Sequence, residues 1–247
     1  TVLNALLLPI IRDYISRLTD RLTEAGLTAP VFLVQSNGGV TTPTTAAAQP
    51  ARLLLSGPSG GALAAETISA RISEPNLIAV DMGGTSYDVS IVHGGEIRKI
   101  NDGAVDSLPV RLPMVEIRTI GAGGGSLARV DDSGRLRVGP ESAGAEPGPA
   151  CYGLGGDEPT VTDANVVLGR LDPNYFLGGA LTLDGEAARR TIASRIAEPL
   201  GLEVEAAGEG VLRIAVSAMA SAIRLSLFEK GLDPEDFALI SFGGAGG

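Results

Sequence analysis

The 247-residue sequence predicts an α/β fold, in which amphipathic helices are interspersed with short buried strands. Residues 3–24 and 206–230 carry apolar residues at helical spacing, which predicts two long helices with one face in the core. Residues 77–92 instead read as a buried strand, a glycine turn and an alternating strand. The 34 glycines, about twice the ordinary share of roughly 7%, cluster in turns, which favours a chain folded around a ligand.

The composition excludes several classes of protein. A net charge of -10 is the reverse of the basic footprint of a nucleic-acid binder. A single Cys permits no intrachain disulfide and favours a reducing compartment, so we expect a cytoplasmic protein. A single His argues against a His-rich metal site, and we find no apolar run near the roughly 18–20 residues that a membrane helix needs.

The first half of the chain contains most of the predicted strands. In the first helix the regular part is expected to start at Pro9, because proline breaks a helix interior, and Gly26 is expected to cap its end. We expect the Gly94-Gly95 pair to form a hairpin turn. The remaining elements predicted here are a buried strand at 31–35 before the turn Ser36-Asn37-Gly38-Gly39, a loop or short helical turn at 41–50, a helix at 61–72, and strands at 77–81, 87–92 and 96–100.

The second half carries fewer regular signals. Residues 101–185 are rich in Pro and Gly and are interpreted as an irregular, strand-containing insertion within the single domain 1–247, with one helix near 163–171. Helices are predicted at 186–198 and 206–230, and a last buried strand at 237–242. The apolar stripe predicted for the last helix consists of Leu212, Val216, Met219, Ile223 and Leu227.

The strongest local signal is VDMGGTSYDVSIV at residues 80–92. A buried strand delivers Asp81 at its end, and Gly83 and Gly84 follow with no Cβ to keep a ligand away. Their amides, with those of the next two residues, can bind phosphate oxygens, and Asp81 is placed to hold hydrated Mg²⁺. The loop leads into a strand that carries Asp88, unlike Rossmann and Walker loops, which lead into a helix.

At these residues the sequence resembles a known superfamily. DMGGTSYDVSIV is similar to the second phosphate loop of the actin, sugar-kinase and chaperone ATPases, and LISFGGAGG to their adenosine-binding turn. IRTIGAGGGSLARVD, GAEPGPACYGLGG and PTVTDANVVLGRL resemble one branch, the hydantoinase A, oxoprolinase and acetone-carboxylase family, and the resemblance covers nearly the whole chain. It implies a ribonuclease-H-like, actin-like ATPase domain with a mixed sheet flanked by helices.

The resemblance also implies an activity. Family members use ATP and Mg²⁺ to activate a stable carbonyl, so the function expected is hydrolysis of a cyclic amide, hydantoin or oxoproline in type, by phosphorylation of its carbonyl. The residue types at this loop suit such chemistry, which depends on positioning and charge neutralisation. The expected sites are catalytic Asp81 and Asp88, metal-binding Asp81, phosphate-binding Gly83, Gly84, Thr85 and Ser86, and adenosine-contacting Gly243, Gly244 and Gly246.

The sequence departs from the family pattern in one respect. Family members carry an earlier DxGGT loop, whereas the only one here begins at Asp81, so we expect the central part of a longer subunit that lacks full ATPase activity on its own. A hydantoinase B-type subunit and an oligomeric parent protein are the partners implied. Two alternatives stay open: a carboxylase subunit that activates a ketone or bicarbonate, and a non-enzymatic chaperone-like ATP-binding module.

Several other residues invite a catalytic interpretation. Ser59 lies in GPSGG, which matches G-x-S-x-G, but a triad would need His93 only five residues beyond Asp88; a ligand-facing or structural turn is the better interpretation. Cys151 is a candidate nucleophile or metal ligand, although a lone Cys is usually a buried hydrophobe. Asp163 is expected to cap the following helix rather than to bind substrate or metal.

Overall fold

The computed structural model describes residues 2–105 and 108–246. The chain forms two compact units, the first made of Thr1–Ala79 with Ser90–Ile117 and the second of Val80–Val89 with Arg118–Gly247. The predicted insertion, residues 101–185, does not coincide with either unit. Its residues up to Ile117 belong to the first unit, and those from Arg118 onward belong to the second.

Helices occur in both units. In chain order the α-helices are α1 (Val2–Glu24), α2 (Pro43–Ala48), α3 (Ser56–Ile72), α4 (Val161–Val167), α5 (Gly185–Ile192), α6 (Glu198–Leu200) and α7 (Val204–Phe228). Short 3-10 turns occupy Pro50–Leu53, Ala150–Tyr152, Leu177–Gly179 and Pro234–Asp236, and a π-helical segment, Ala193–Ala197, joins α5 to α6.

The strands are mostly short. They are β1 (Leu33–Val34), β2 (Val40–Thr41), β3 (Leu77–Met82), β4 (Tyr87–His93), β5 (Glu96–Ile97), β6 (Lys99–Ile100), β7 (Gly103–Val105), β8 (Leu108–Val110), β9 (Met114–Val115), β10 (Arg118–Ile120), β11 (Ser126–Val130), β12 (Leu136–Ser142) and β13 (Ala238–Phe242). The main sheet has the order β10-β4-β3-β13, with β5 also paired to β4, and the other pairs are two-stranded.

The centre of the main sheet matches the sequence prediction. Residues 77–80 of β3 and 87–92 of β4 are buried, as expected for strands covered on both faces. Strand β10 pairs antiparallel with β4, which places Thr119 opposite Asp88. The Gly94-Gly95 turn has positive φ at both glycines, 62° and 83°, and joins β4 to β5 as predicted.

Helix α1 runs through Pro9 instead of starting there. Tertiary contacts override the local penalty, because α1 packs against α2 and the 3-10 turn Pro50–Leu53. The Asn4 side chain accepts a hydrogen bond from Ala51 N–H at 3.2 Å, which fixes the first turn of α1 to this turn. The end of the helix is as predicted, with Gly26 at φ 84°.

Helix α3 begins five residues before the predicted helix at 61–72. GPSGG therefore lies within the first turns of the helix and is not a loop. Ser59 is 1% exposed, and its hydroxyl donates to the carbonyls of Ser36 at 3.1 Å and Leu55 at 2.8 Å. The hydroxyl joins two segments of the first unit, so its role is structural.

Strand predictions failed where the strand lies at an edge or is interrupted. Only Leu33–Val34 of the segment 31–35 is strand, and both residues are half-buried rather than buried. The segment 96–100 is broken at Arg98 into β5 and β6. Strand β13, predicted as buried, is half-buried or exposed along its length because it lies at the end of the sheet order.

The core of the second unit lies between α4, α5 and α7, which pack against one another. Cys151, Val166 and Ala188 are buried there, and Tyr152 packs against Phe176 with ring centroids 5.6 Å apart. The buried residues of this core are small or aliphatic, and one aromatic pair packs against them.

Helix α7 has the predicted stripe with one exception. Leu212, Met219 and Leu227 are buried, whereas Val216 is 60% exposed.

Helix α7 is also long and apolar enough to cross a membrane. The mean hydropathy of its most apolar window is 1.6, and 39% of that window is buried in this fold. The expectation that no apolar segment reaches the length of a membrane helix is therefore wrong. A core helix of a soluble protein meets the same criteria, and the absence of a membrane partner stays a prediction.

Asp163 has the capping role expected of it, and it does more. With Thr160 it forms a capping box at the start of α4. Its fully buried carboxylate also accepts hydrogen bonds from the backbone N–H groups of Ala150 at 3.2 Å and Cys151 at 2.8 Å. One carboxylate thus holds the 3-10 turn Ala150–Tyr152 against α4.

We predict that Asp163→Asn lowers the free energy of unfolding by about 1–3 kcal/mol. The hydrogen-bond donors around Asp163 share two carboxylate oxygens, whereas an asparagine side chain has only one acceptor oxygen. Urea unfolding followed by circular dichroism measures the change. The control is Asp157→Asn, since Asp157 is 79% exposed and pairs with Arg195 at 3.3 Å on the surface. Equal unfolding midpoints for the two variants would show that the buried network contributes nothing.

Candidate functional site

The predicted phosphate loop is a tight turn between β3 and β4. The N–H of Gly83 donates to the carbonyl of Ser86 at 3.0 Å, which closes the turn. Gly84 and Thr85 at its tip are exposed. A Cβ added at Gly84 would meet nothing within 4 Å, so the space beside this residue is open to a ligand.

Asp81 and Asp88 lie on either side of this turn. Asp88 is buried, and its carboxylate accepts hydrogen bonds from the hydroxyls of Thr119 and Ser86, the latter at 3.2 Å. Asp81 is half-buried and accepts no hydrogen bond from the residues that the structure describes. Burial raises the pKa of Asp81, and the charge of Asp88 raises it further.

The C-terminal glycine turn lies directly against Asp81. Gly243 has φ 94°, and a Cβ there would lie 2.2 Å from Asp81 Oδ1 and 2.5 Å from the carbonyl oxygen of Met82. Only glycine allows this approach. The N–H of Ala245 donates to the same Met82 carbonyl at 2.9 Å, so the chain around residues 83 and 244 is brought together at the end of β3.

The other two glycines of this turn differ in their surroundings. A Cβ at Gly244 would meet nothing within 4 Å, whereas a Cβ at Gly246 would lie 2.1 Å from the Phe242 carbonyl oxygen. The N–H of Gly246 donates to Gly243 O at 3.2 Å. Gly246 is therefore required by the turn itself, and Gly244 is free to contact a ligand.

A third glycine segment, Gly121–Gly125, completes the site, and its position was missed from the sequence. The N–H groups of Gly124 and Gly125 donate to the carbonyls of Gly83 and Gly84 at 3.1 and 2.7 Å. A Cβ at Gly123 would come within 2.7 Å of both carbonyl oxygens. The signal available in the sequence was the run of three consecutive glycines, because glycines allow two backbones to pack directly against each other.

The third segment also connects the site to helix α4. Thr162, in the first turn of α4, donates both its N–H and its hydroxyl to the carbonyl of Gly124, at 2.7 and 2.8 Å. A Cβ at Gly124 would lie 3.6 Å from the Ala245 side chain. The turns at 83–86, 121–125 and 243–246 therefore form one cluster, which we call the glycine cluster.

The other candidate residues lie outside the glycine cluster. Cys151 is fully buried, and burial together with the Asp163 carboxylate raises the pKa of its thiol, which opposes a role as a nucleophile or metal ligand. His93 is exposed at the hairpin. Within the described residues no group of three or more His, Cys, Asp or Glu side chains could hold a metal.

Five arginines of the second unit pair with acidic side chains or are exposed to solvent. Arg118 pairs with Glu229 and donates to Ser226 at 3.0 Å, and Arg129 pairs with Glu141 at 3.1 Å. The remaining three, Arg170, Arg213 and Arg224, are exposed.

Chemically, the glycine cluster combines exposed backbone with an acidic pair. Exposed backbone next to glycine suits an anion, and the like charges of Asp81 and Asp88 favour a cation beside them. Mg²⁺ commonly uses one or two carboxylates together with phosphate oxygens, so the absence of a larger acidic group does not disfavour it.

Comparison with known proteins identifies the family. The caprolactamase alpha subunit of Pseudomonas jessenii is 44% identical over 247 residues, which are 100% of this chain and 36% of that protein. The crystal structure of the ATP-dependent caprolactamase from Pseudomonas jessenii superposes with a TM-score of 0.79 at 44% identity, covering 98% of this chain and 35% of the other.

A second solved structure shows the same fold. The nucleotide-free structure of acetone carboxylase matches with a TM-score of 0.88 at 34% identity, covering 95% of this chain and 33% of the other. The chain thus spans about a third of the length of these relatives. The sequence profile described as hydantoinase/oxoprolinase matches residues 1–247, and this chain belongs to that family.

Proposed function

We propose that this chain is the nucleotide-binding part of a larger subunit that hydrolyses a cyclic amide at the expense of ATP. The approach of Gly243 to Asp81 carries the proposal, because it brings two exposed glycine turns together beside an acidic pair. The similarity to a caprolactamase supports a cyclic amide as substrate. A cytoplasmic location is part of the proposal.

The chemistry requires activation of a poor electrophile. Resonance between the ring nitrogen and the carbonyl makes a cyclic amide resistant to water. Bound ATP would supply its terminal phosphoryl group to the carbonyl oxygen and leave as ADP, which removes this resonance. Water would then add to the activated carbon, the ring C–N bond would break, and inorganic phosphate would be released. The protein contributes positioning and charge neutralisation.

The residues present fit this chemistry. The backbone of Gly83, Gly84, Thr85 and Ser86 would hold phosphate oxygens, and Gly244 would lie against the adenosine. Asp81 would hold Mg²⁺: its carboxylate has no hydrogen-bond donor among the described residues, and burial together with the charge of Asp88 raises its pKa, which a bound cation would offset. Asp88, held by Thr119 and Ser86, is a fixed negative charge next to it.

A carboxylase is the second candidate, and the acetone carboxylase structure favours it at a TM-score of 0.88. The relatives include proteins named as subunits, so we also propose that the whole protein works in an oligomer, with a hydantoinase B-type subunit as the partner.

An ADP-release assay separates the candidate functions. Release that depends on a lactam would support the hydrolase, and release that depends on a ketone with bicarbonate would support the carboxylase. Stimulation only by a protein partner would favour a non-enzymatic module.

We predict that Asp81→Asn in the full-length protein abolishes lactam-dependent ATP cleavage and leaves the fold intact, because the amide removes the negative charge that holds the cation. ADP release and circular dichroism are the two measurements. Asp157→Asn serves again as the control and should retain full activity. Unchanged kinetics in Asp81→Asn would refute the role given to this carboxylate.

The two open glycines offer a second test. Alanine at Gly84 or Gly244 meets no protein atom within 4 Å, so each variant should fold normally yet bind ATP about tenfold more weakly or worse, since the methyl group occupies ligand space. Gly243→Ala should instead unfold more easily, by at least about 1–3 kcal/mol, because of its positive φ and its contact with Asp81.

Nucleotide affinity is measured by calorimetry and stability by thermal unfolding. Gly60→Ala in α3 is the matched control, since its Cβ also meets nothing within 4 Å. ATP affinity that stays normal in both Gly84→Ala and Gly244→Ala would place the nucleotide elsewhere.

A further inference from the structure

The buried carboxylate of Asp88 is held by hydroxyl groups from two different elements. Thr119, on β10, lies opposite Asp88 in the antiparallel pairing with β4 and donates its hydroxyl to Asp88 Oδ1. Ser86, in the turn before β4, donates its hydroxyl to Asp88 Oδ2 at 3.2 Å. Each carboxylate oxygen therefore has a donor of its own, which fixes the plane of the carboxylate as well as its position.

The two donors differ in how firmly they are placed. Ser86 belongs to the turn between β3 and β4, whose tip at Gly84 and Thr85 is exposed. A phosphate bound at this turn would compete with Asp88 for the Ser86 hydroxyl, because phosphate oxygens accept hydrogen bonds strongly. Thr119 lies on a strand outside the turn, so its hydrogen bond to Asp88 does not depend on what the turn binds.

Strand β10 is anchored on both sides of Thr119. Before it, Arg118 donates from Nε to Ser226 Oγ at 3.0 Å and pairs with Glu229, which ties the strand to α7. After it, the segment Gly121–Gly125 donates two N–H groups to the turn between β3 and β4. A β-branched side chain has few rotamers, so Thr119 presents its hydroxyl from a defined place.

The orientation of Asp88 matters because a second carboxylate lies nearby. Asp81 accepts no hydrogen bond from the described residues, and it experiences the charge of Asp88. Two like charges at one place favour a cation, and Mg²⁺ commonly uses one or two carboxylates. Functional groups in such sites must be held to within about 0.5 Å of their working positions. An Asp88 carboxylate that was free to rotate would not meet this condition.

From this arrangement we infer that Thr119 is a positioning residue, whose hydroxyl keeps the negative charge of Asp88 beside Asp81, where the cation would bind. Thr119 is given no contact with nucleotide or substrate, and it acts through Asp88 alone. This role rests on the proposed function, because the assignment of Mg²⁺ to Asp81 is taken from there.

The exposure of Thr119 decides which substitution tests this role. Thr119 lies on an edge strand and is exposed, whereas Asp88 is 8% exposed. In Thr119→Ala a water can enter and donate to Asp88 in place of the hydroxyl. Thr119→Val puts a methyl group where the hydroxyl was and excludes this water, and valine suits a strand. Thr119→Ser keeps the donor.

Nucleotide binding with and without Mg²⁺ separates positioning from a general structural role. Calorimetry on the full-length protein measures its affinity for a non-hydrolysable ATP analogue in excess Mg²⁺ and in EDTA. We expect Mg²⁺ to strengthen binding to the wild-type protein. Thr119→Val should bind the analogue about tenfold more weakly in Mg²⁺, and within about twofold of the wild-type affinity in EDTA. Thr119→Ser should resemble the wild type, and Thr119→Ala should lie between the two.

The matched control is Thr182→Val, which makes the same change at an exposed threonine outside the glycine cluster and should leave both affinities unchanged. Thermal unfolding checks that every variant folds. Wild-type affinities in Thr119→Val, or equal weakening with and without Mg²⁺, would overturn the inference. A Thr119→Ser variant as weak as Thr119→Val would also overturn it.

Steady-state kinetics gives a second readout. At saturating Mg²⁺ and ATP, Thr119→Val should lower the kcat of lactam-dependent ATP cleavage about tenfold, and Thr119→Ser should restore it. A kcat that is unchanged in Thr119→Val would contradict the positioning role.

Failure of the proposed function would look different. If the gain in affinity from Mg²⁺ requires both Asp81 and Thr119 but no lactam drives ATP cleavage, the positioning role stands and the hydrolase falls. If Asp81→Asn loses this gain and Thr119→Val keeps it, the metal role of Asp81 stands and the role of Thr119 falls. If Mg²⁺ gives the wild-type protein no gain, both roles fall.

Discussion

The second unit depends on the close packing of three glycine-rich backbone segments. The carbonyls of Gly83 and Gly84 are covered by the amides of Gly124 and Gly125, and Gly243 lies on Asp81. A single methyl group at Gly123 or Gly243 would occupy the position of main-chain or carboxylate atoms, which cannot move aside. Glycine here is a steric requirement, and it explains much of the unusual composition of this chain.

This contact also determines what is left exposed. Because the carbonyls of the 83–84 turn are satisfied from the side of Gly124 and Gly125, the tip at Gly84 and Thr85 remains exposed to solvent. The Asp81 carboxylate lies at the same place, next to the buried charge of Asp88. A site for an anion and a cation therefore follows from how the backbone packs, with few polar side chains needed.

Much of the fold could be predicted from the sequence, for identifiable reasons. Continuous apolar runs gave β3 and the buried part of β4, and the Gly94-Gly95 pair specified the hairpin. The failures came where tertiary context overrides local preference. Pro9 is accommodated because α1 is held by contacts with Ala51 and its neighbours. GPSGG is helical with Ser59 bonded to the distant carbonyl of Ser36.

The candidate site was only partly predictable. The chemistry of Asp81 and the glycines around it could be inferred from residue types, but the position of Gly121–Gly125 required coordinates, since no local pattern shows which backbone a glycine run will cover.

The environment of Cys151 has a practical consequence. The only thiol in the sequence is fully enclosed, and the neighbouring Asp163 carboxylate disfavours its thiolate form. Alkylating or fluorescent reagents added to the native protein would therefore react with a newly introduced surface cysteine and spare the native one. Spectroscopic labels can be attached at chosen positions without first removing a residue from the core.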